Sequence, residues 1–222
     1  ETKRAVFGEG HPDIGVSLRN LGLLMRAMGR LDEAERYHKE AVALFEAALG
    51  PDAPAVAGTL GGLAELYADQ GRVADAEDAY RRSIAIWESA LDPRHPAVAR
   101  AVSGLAMLKL HDGSLDEAAT LQERAVTILD AALGPDHPDV ATALANLALV
   151  RKAQGDLPDA TALYDRALAI REAALGRDDP RLAPLLEAKA EIMDSQGDAA
   201  AAAALRTRAR ALQDKGDGRS GG

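Results

Sequence analysis

Two rhythms of apolar and polar residues run through this chain. In the fast one, apolar positions recur at steps of three and four: Ile14, Leu18, Leu21, Leu24 or Met25, and Met28, then Ala34, Tyr37, Ala41, Leu44, Ala48 and Leu49. Such spacing puts apolar side chains on one stripe of a helix, so the pattern predicts a pair of helices. The first opens at Pro12, because the missing N–H of proline costs nothing at the first helical position. It ends at Gly29, a residue free to turn left-handed. The slow rhythm is a return of the whole pattern every 42 residues, which links Gly29, Gly71, Gly113, Gly155 and Gly197 without an insertion. The same step links Pro12, Pro54, Pro96, Pro138 and Pro180, and the small residues Ala34, Ala76, Ala118, Ala160 and Ala202. Pro158 stands where the second helix of the fourth copy should begin and marks that boundary independently.

A repeat this strict predicts an all-α solenoid, in which each unit buries its apolar face only against its neighbours. Hairpins are expected over residues 12–49, 54–91, 96–133, 138–175 and 180–213. The units run 11–52, 53–94, 95–136 and 137–178, followed by a degenerate capping unit at 179–213. In that last unit Pro184 falls inside the first helix, Lys189 replaces a repeated leucine, and residues 199–204 are all alanine. Residues 1–10 align with the tail of an earlier unit, as in a piece of a longer repeat protein. The glycine-rich, non-apolar segment 214–222 is expected to be disordered.

Composition narrows the interior and the partners. The chain is 47% hydrophobic but only 3% aromatic, so alanine and leucine must build the core and helices must approach closely. A net charge of -9 argues against nucleic acid, whose sequence-independent affinity comes from lysine and arginine neutralising phosphates, and equally against anionic membranes. No cysteine occurs, which removes disulfides and thiolate metal sites. No apolar run reaches the ~20 residues of a membrane span, and a cytoplasmic location is expected.

The spacing of Asn20-Leu21-Gly22, Gly29, Asp32-Glu33-Ala34 and Ala41 resembles the tetratricopeptide repeat. The longer unit, with His-Pro-Asp at its start, looks like the kinesin light chain type. That resemblance implies a right-handed superhelix of antiparallel hairpins, with the first helix of each lining a concave peptide-binding groove. The groove positions would then be Arg19, Asn20, Leu23 and Arg26 in the first unit, and Gly58, Gly61, Gly62, Glu65 and Asp69 in the second. The third unit contributes Arg100, Ser103 and Met107, and the fourth Asn146, Leu149 and Lys152. Asn20 and Asn146 match the asparagines that bond a bound peptide's backbone in this family, although Gly62 and Gly104 interrupt the series. Arg19, Arg26, Arg100 and Lys152 could receive an acidic segment, or they are solvated surface charges.

Three glycines within one helix, Gly58, Gly61 and Gly62, with Ser103 and Gly104 at matching positions next door, suggest either tolerated packing defects or a bare hollow for a partner's side chain. His11, His95 and His137 recur at one position in separate units, too far apart to share a metal, and are expected at helix N-termini. Trp87 reads as surface or inter-repeat packing. No metal site, cofactor site or catalytic motif is expected. The expected function is a non-catalytic protein- or peptide-binding scaffold. The alternatives are an architectural module self-associating through its end repeats, or the sensing part of a larger enzyme.

Overall fold

In the computed structural model, the described residues 10–218 are helical throughout, with no strand among them. The chain divides into two compact units at Asp112/Gly113. The first contains α1 (Pro12–Ala27), α2 (Leu31–Leu49), α3 (Pro54–Asp69), α4 (Val73–Ala90) and α5 (Pro96–His111). The second contains α6 (Leu115–Leu133), α7 (Pro138–Gln154), α8 (Leu157–Leu175), a 3₁₀ turn at Pro180–Leu182, α9 (Ala183–Ser195) and α10 (Ala199–Gly218). Within each unit consecutive helices pack on one another: α1 on α2, α2 on α3, α3 on α4 and α4 on α5, then α6 on α7 and so on to α10.

The helix ends follow the local chemistry. His11, His95 and His137 cap α1, α5 and α7: each ring Nδ1 accepts the backbone N–H two residues on, at 3.2, 3.1 and 3.1 Å. Gly29, Gly71, Gly113, Gly155 and Gly197 all have positive φ at the turns after the first helix of each repeat. A second series closes the later helices. Gly50, Gly134 and Gly176 combine φ near +90° with ψ near 155°, a region essentially reserved for glycine. Where Asp92 occupies that place, α4 stops earlier, at Ala90, and the Asp92 carboxylate instead accepts the N–H of Arg94 at 2.8 Å.

The buried stripes differ from the sequence expectation in two respects. In α1, Ile14, Leu18 and Met25 are buried, but Leu21, Leu24 and Met28 are 39, 53 and 58% exposed. Their later counterparts Leu63, Leu66, Leu105 and Leu108 are buried, because α3 and α5 each lie against a preceding second helix. In α2 the fully buried residues are Ala34, His38, Ala41 and Phe45, while Ala48 and Leu49 are exposed; Tyr37 and Leu44 are only half-buried. A second helix presents one stripe to its own partner and another to the next first helix, so its inner face is wider than one stripe. In the fifth repeat, Pro184 shortens the first helix to Ala183–Ser195 behind the 3₁₀ turn. Helix α10 continues to Gly218, beyond the expected onset of disorder at 214, with Leu212 buried and Lys215 paired to Asp178 at 3.3 Å. The expected tail of an earlier unit lies almost wholly outside the described residues.

Glycines in the first helices separate into two kinds. A Cβ on Gly15 would stand 2.7 Å from the ring of Phe45, and one on Gly22 would stand 2.7 Å from His38. Gly62 and Gly104 likewise receive His38 and Tyr80. By contrast, a Cβ on Gly61 meets nothing nearer than the Ser83 hydroxyl at 3.9 Å. Gly61→Ala should therefore stabilise the fold by about 0.5–1 kcal/mol through helix propensity. Gly15→Ala should destabilise it by about 1–3 kcal/mol through overpacking against a ring that is 1% exposed. Urea denaturation of the two variants checks the opposite signs.

Candidate functional site

In the first unit, α3, α4 and α5 enclose an open hollow of about 290 Å³. Helix α3 lines it with Ala57, Gly58, Gly61, Gly62 and Glu65, and α5 with Ala97, Arg100, Ala101 and Gly104. Helix α4 supplies Tyr80, Ser83 and Trp87. Gly58 and Gly61 leave their share of the wall bare, whereas Gly62 and Gly104 accommodate neighbouring rings, so the glycine cluster serves both packing and open space. The Ser83 hydroxyl is buried and donates to the Ala57 carbonyl at 2.8 Å. Burial and the nearby Glu65 charge keep the Tyr80 hydroxyl protonated far above its ordinary range.

The second unit has a hollow of about 320 Å³ at the corresponding place, two repeat lengths further on. Ala57, Gly58, Gly61, Gly62 and Glu65 are replaced by Ala141, Thr142, Ala145, Asn146 and Leu149, and Tyr80 and Trp87 by Tyr164 and Arg171. The far wall is Arg181, Pro184, Leu185 and Ala188. Burial pushes the Tyr164 hydroxyl up to about 12. This hollow is the more apolar of the two, with Leu149, Pro184 and Leu185 where the first has Glu65, Arg100 and Ala101.

The charged candidates fall into engaged and unengaged groups. Arg26 donates from Nε to Asp69 at 2.5 Å and from Nη1 to Glu65. The Asp69 hydrogen bond is foremost in raising the Arg26 pKa. Lys152 pairs with Glu191 at 2.8 Å. These contacts join first helices of successive repeats, which leaves Arg26 and Lys152 less able to receive an acidic segment than the sequence suggested. Arg19 and Arg100 make no ion pair among the described residues. The Arg19 guanidinium lies 3.6 Å from where a Gly58 Cβ would be, with the Trp87 ring at 3.7 Å on the same point.

Of the sequence-selected residues, Gly58, Gly61, Gly62, Glu65 and Arg100 meet at the first hollow and Asn146 and Leu149 at the second. Asn20, Leu23, Ser103 and Met107 line neither. Tyr80, Ser83, Trp87, Tyr164 and Arg171 were not among them, because they belong to second helices whereas the groove was assigned to first helices alone. Their sequence signal is a bulky or polar residue at the periodic positions 80 and 164, or 87 and 171, where a purely structural stripe would hold small apolar groups.

This architecture is that of a helical-repeat protein. A sequence profile for the tetratricopeptide repeat matches residues 1–47, 13–89, 55–129, 98–173 and 139–215, and the chain belongs to that family. Its fold is similar to a crystal structure of a putative kinesin light chain from Podosopora anserina with nearly identical TPR-like repeats. The two share 25% identity with a TM-score of 0.76, over 92% of this chain and 97% of that one. BtubC (BKLC) from P. vanneervenii shares the fold at 24% identity and a TM-score of 0.80, over 92% of this chain and 83% of that one. PilF of Pseudomonas aeruginosa also shares it, at 16% identity and a TM-score of 0.65, over 89% of this chain and 76% of that one. A search of curated proteins gave no match. Among the described residues no helix is long and apolar enough to cross a membrane, and no group of histidines and carboxylates could hold a metal ion.

The Arg26 cluster is part-exposed, with side-chain accessibilities of 29% for Arg26, 50% for Glu65 and 43% for Asp69, so solvent screens it. A double-mutant cycle on Arg26→Ala and Glu65→Ala should give a coupling of about 0.2–1 kcal/mol that shrinks on raising salt. Denaturation midpoints at two ionic strengths measure it.

Proposed function

We propose that this chain is a non-catalytic protein-binding scaffold in which each of the two units takes a partner segment at its own hollow. Repeat proteins of this family are interaction scaffolds in general, and the finer reading rests on one observation. The same inter-helix position stays open in both units, walled by bare or small residues and carrying a guanidinium without a carboxylate partner. In the first unit that cation is Arg100, with Arg19 beside Gly58; in the second, among the described residues, Arg171 bonds only the Thr142 hydroxyl, at 2.6 Å. The partner segment therefore carries acidic residues beside a side chain large enough to enter a hollow of about 290 Å³. Charge-assisted pairing with an unengaged guanidinium is favourable because no internal ion pair has to break first.

Trp87 is the only tryptophan in the sequence, so its fluorescence reports on the first hollow. Titration with acidic peptides should change that emission, and basic peptides of the same length should not. Gly61→Leu should fill the hollow and weaken binding at least about tenfold, or about 1.4 kcal/mol, with stability kept. Arg100→Glu should act in the same direction and abolish the preference for acid. Unchanged affinity in both variants would remove this hollow from recognition.

A second reading, association with another copy, is favoured by the apolar surface of α1, where Leu24 and Met28 are more than half exposed. On this reading Leu24→Glu lowers the mass observed in sedimentation without affecting the Trp87 titration.

A further inference from the structure

His38 is the most anomalous side chain outside the hollows. It is 0% exposed, and neither ring nitrogen has a hydrogen-bond partner. The ring is wedged across the joint between α2 and its neighbours: a Cβ on Gly22 of α1 would stand 2.7 Å from Nε2, and one on Gly62 of α3 would stand 3.0 Å from Cε1. At the same position in the next three repeats the chain places Tyr80, Gln122 and Tyr164, none of which takes up a proton in acid, and in the fifth Arg206, a permanent cation paired with Asp194. Of these five positions, His38 alone changes from neutral to cationic in mild acid.

The charges that act on the ring oppose that event, and the carboxylates nearby are engaged elsewhere. Arg19 and Arg26 of α1 are the cations that act on the ring. The carboxylates Glu65 and Asp69 of α3 are turned to Arg26, not to the imidazole. On its own helix, Glu35 is held by Lys39 and by Arg72 of the following hairpin. A protonated His38 would thus be a buried cation with no acceptor and two like charges beside it, the costliest form a buried polar group can take.

We infer that His38 makes the joint between the α1–α2 hairpin and α3 an acid-sensitive hinge, at which protonation of the imidazole releases the hairpin while α3 to α5 stay folded. Release withdraws Arg19 from Gly58 and so alters the wall of the first hollow. Burial, with lesser contributions from Arg26 and Arg19, holds the folded imidazole at about 4, against 6.5 ordinarily. Because the folded value is depressed, the closed joint is fully stable above about pH 6.5 and loses stability as pH falls toward about 4, where the loss levels off. The open population rises roughly tenfold per pH unit within that window.

Hydrogen exchange by mass spectrometry, corrected for the intrinsic pH dependence, tests this at pH 7 and pH 4.5 on the whole chain. Protection should fall selectively in α1 and α2, and Trp87 emission should shift with it. His38→Gln, which copies the residue at position 122, should abolish the selective loss. The proposal is overturned if His38→Gln shows the same acid response, or if α4 and α5 lose protection in parallel. Should that variant not fold, NMR titration of the wild-type imidazole decides: a value near 4 supports the hinge, and one near 6.5 overturns it.

Discussion

Close approach of paired helices is the constraint on which the rest of the structure depends. Ala34 and Ala41, Ala118 and Ala125, Ala160 and Ala167, and Ala202 and Ala209 are all 0% exposed, seven residues apart on the second helix of their repeats. A seven-residue step is nearly two helical turns, so each pair forms a small-residue strip along which another helix can lie. In the second repeat the strip is Ala76 and Ser83, and the hydroxyl that alanine would lack is satisfied by the Ala57 carbonyl. With backbones this near, dispersion contacts among many small groups replace the few large aromatic contacts of an ordinary core.

Close approach also explains why bulky groups sit where they do. A large side chain on a second helix cannot lie under its alanine strip, so it projects beside it toward the first helix of its own repeat, of the next one, or of both. His38, Phe45, Tyr80 and Tyr164 occupy such places and need a small residue opposite: Gly22 and Gly62 for His38, Gly15 for Phe45, Gly104 for Tyr80. Where the small residue opposite is not filled, as at Gly58 and Gly61, a hollow remains. Packing and the candidate site are therefore products of one geometry, and the same glycine-rich helix serves both.

Electrostatics then sort the surface. Arg26 with Glu65 and Asp69, Lys109 with Glu77, and Lys152 with Glu191 each tie a first helix to another helix of its unit. The Arg26 and Lys152 pairs are part-exposed and individually weak, whereas Lys109 is buried; together they leave Arg19 and Arg100 as cations without an ion pair among the described residues. In a chain of net charge -9 the first hollow thus carries an uncommitted cation, Arg100, opposite a carboxylate, Glu65, that Arg26 already engages.

The sequence by itself determined the all-α repeat, its 42-residue length, the helix starts of the first four repeats, and the places of the N-terminal histidines and turn glycines. Each of these depends on residues adjacent in the chain: periodic apolar steps, a proline at a helix start, a glycine at positive φ. It also pointed to Gly58, Gly61 and Arg100. Only the tertiary structure decided which apolar residues of α1 are covered, since Leu21 and Leu63 read alike but only Leu63 lies against a preceding helix. Tertiary structure likewise brought Trp87 and Tyr80 to the hollow, engaged Arg26 while leaving Arg19 without an ion pair among the described residues, and closed two glycines around His38. Those outcomes depend on residues some 16 to 43 positions apart meeting across helix joints, and a periodic pattern along one chain carries no record of which charges or rings meet there.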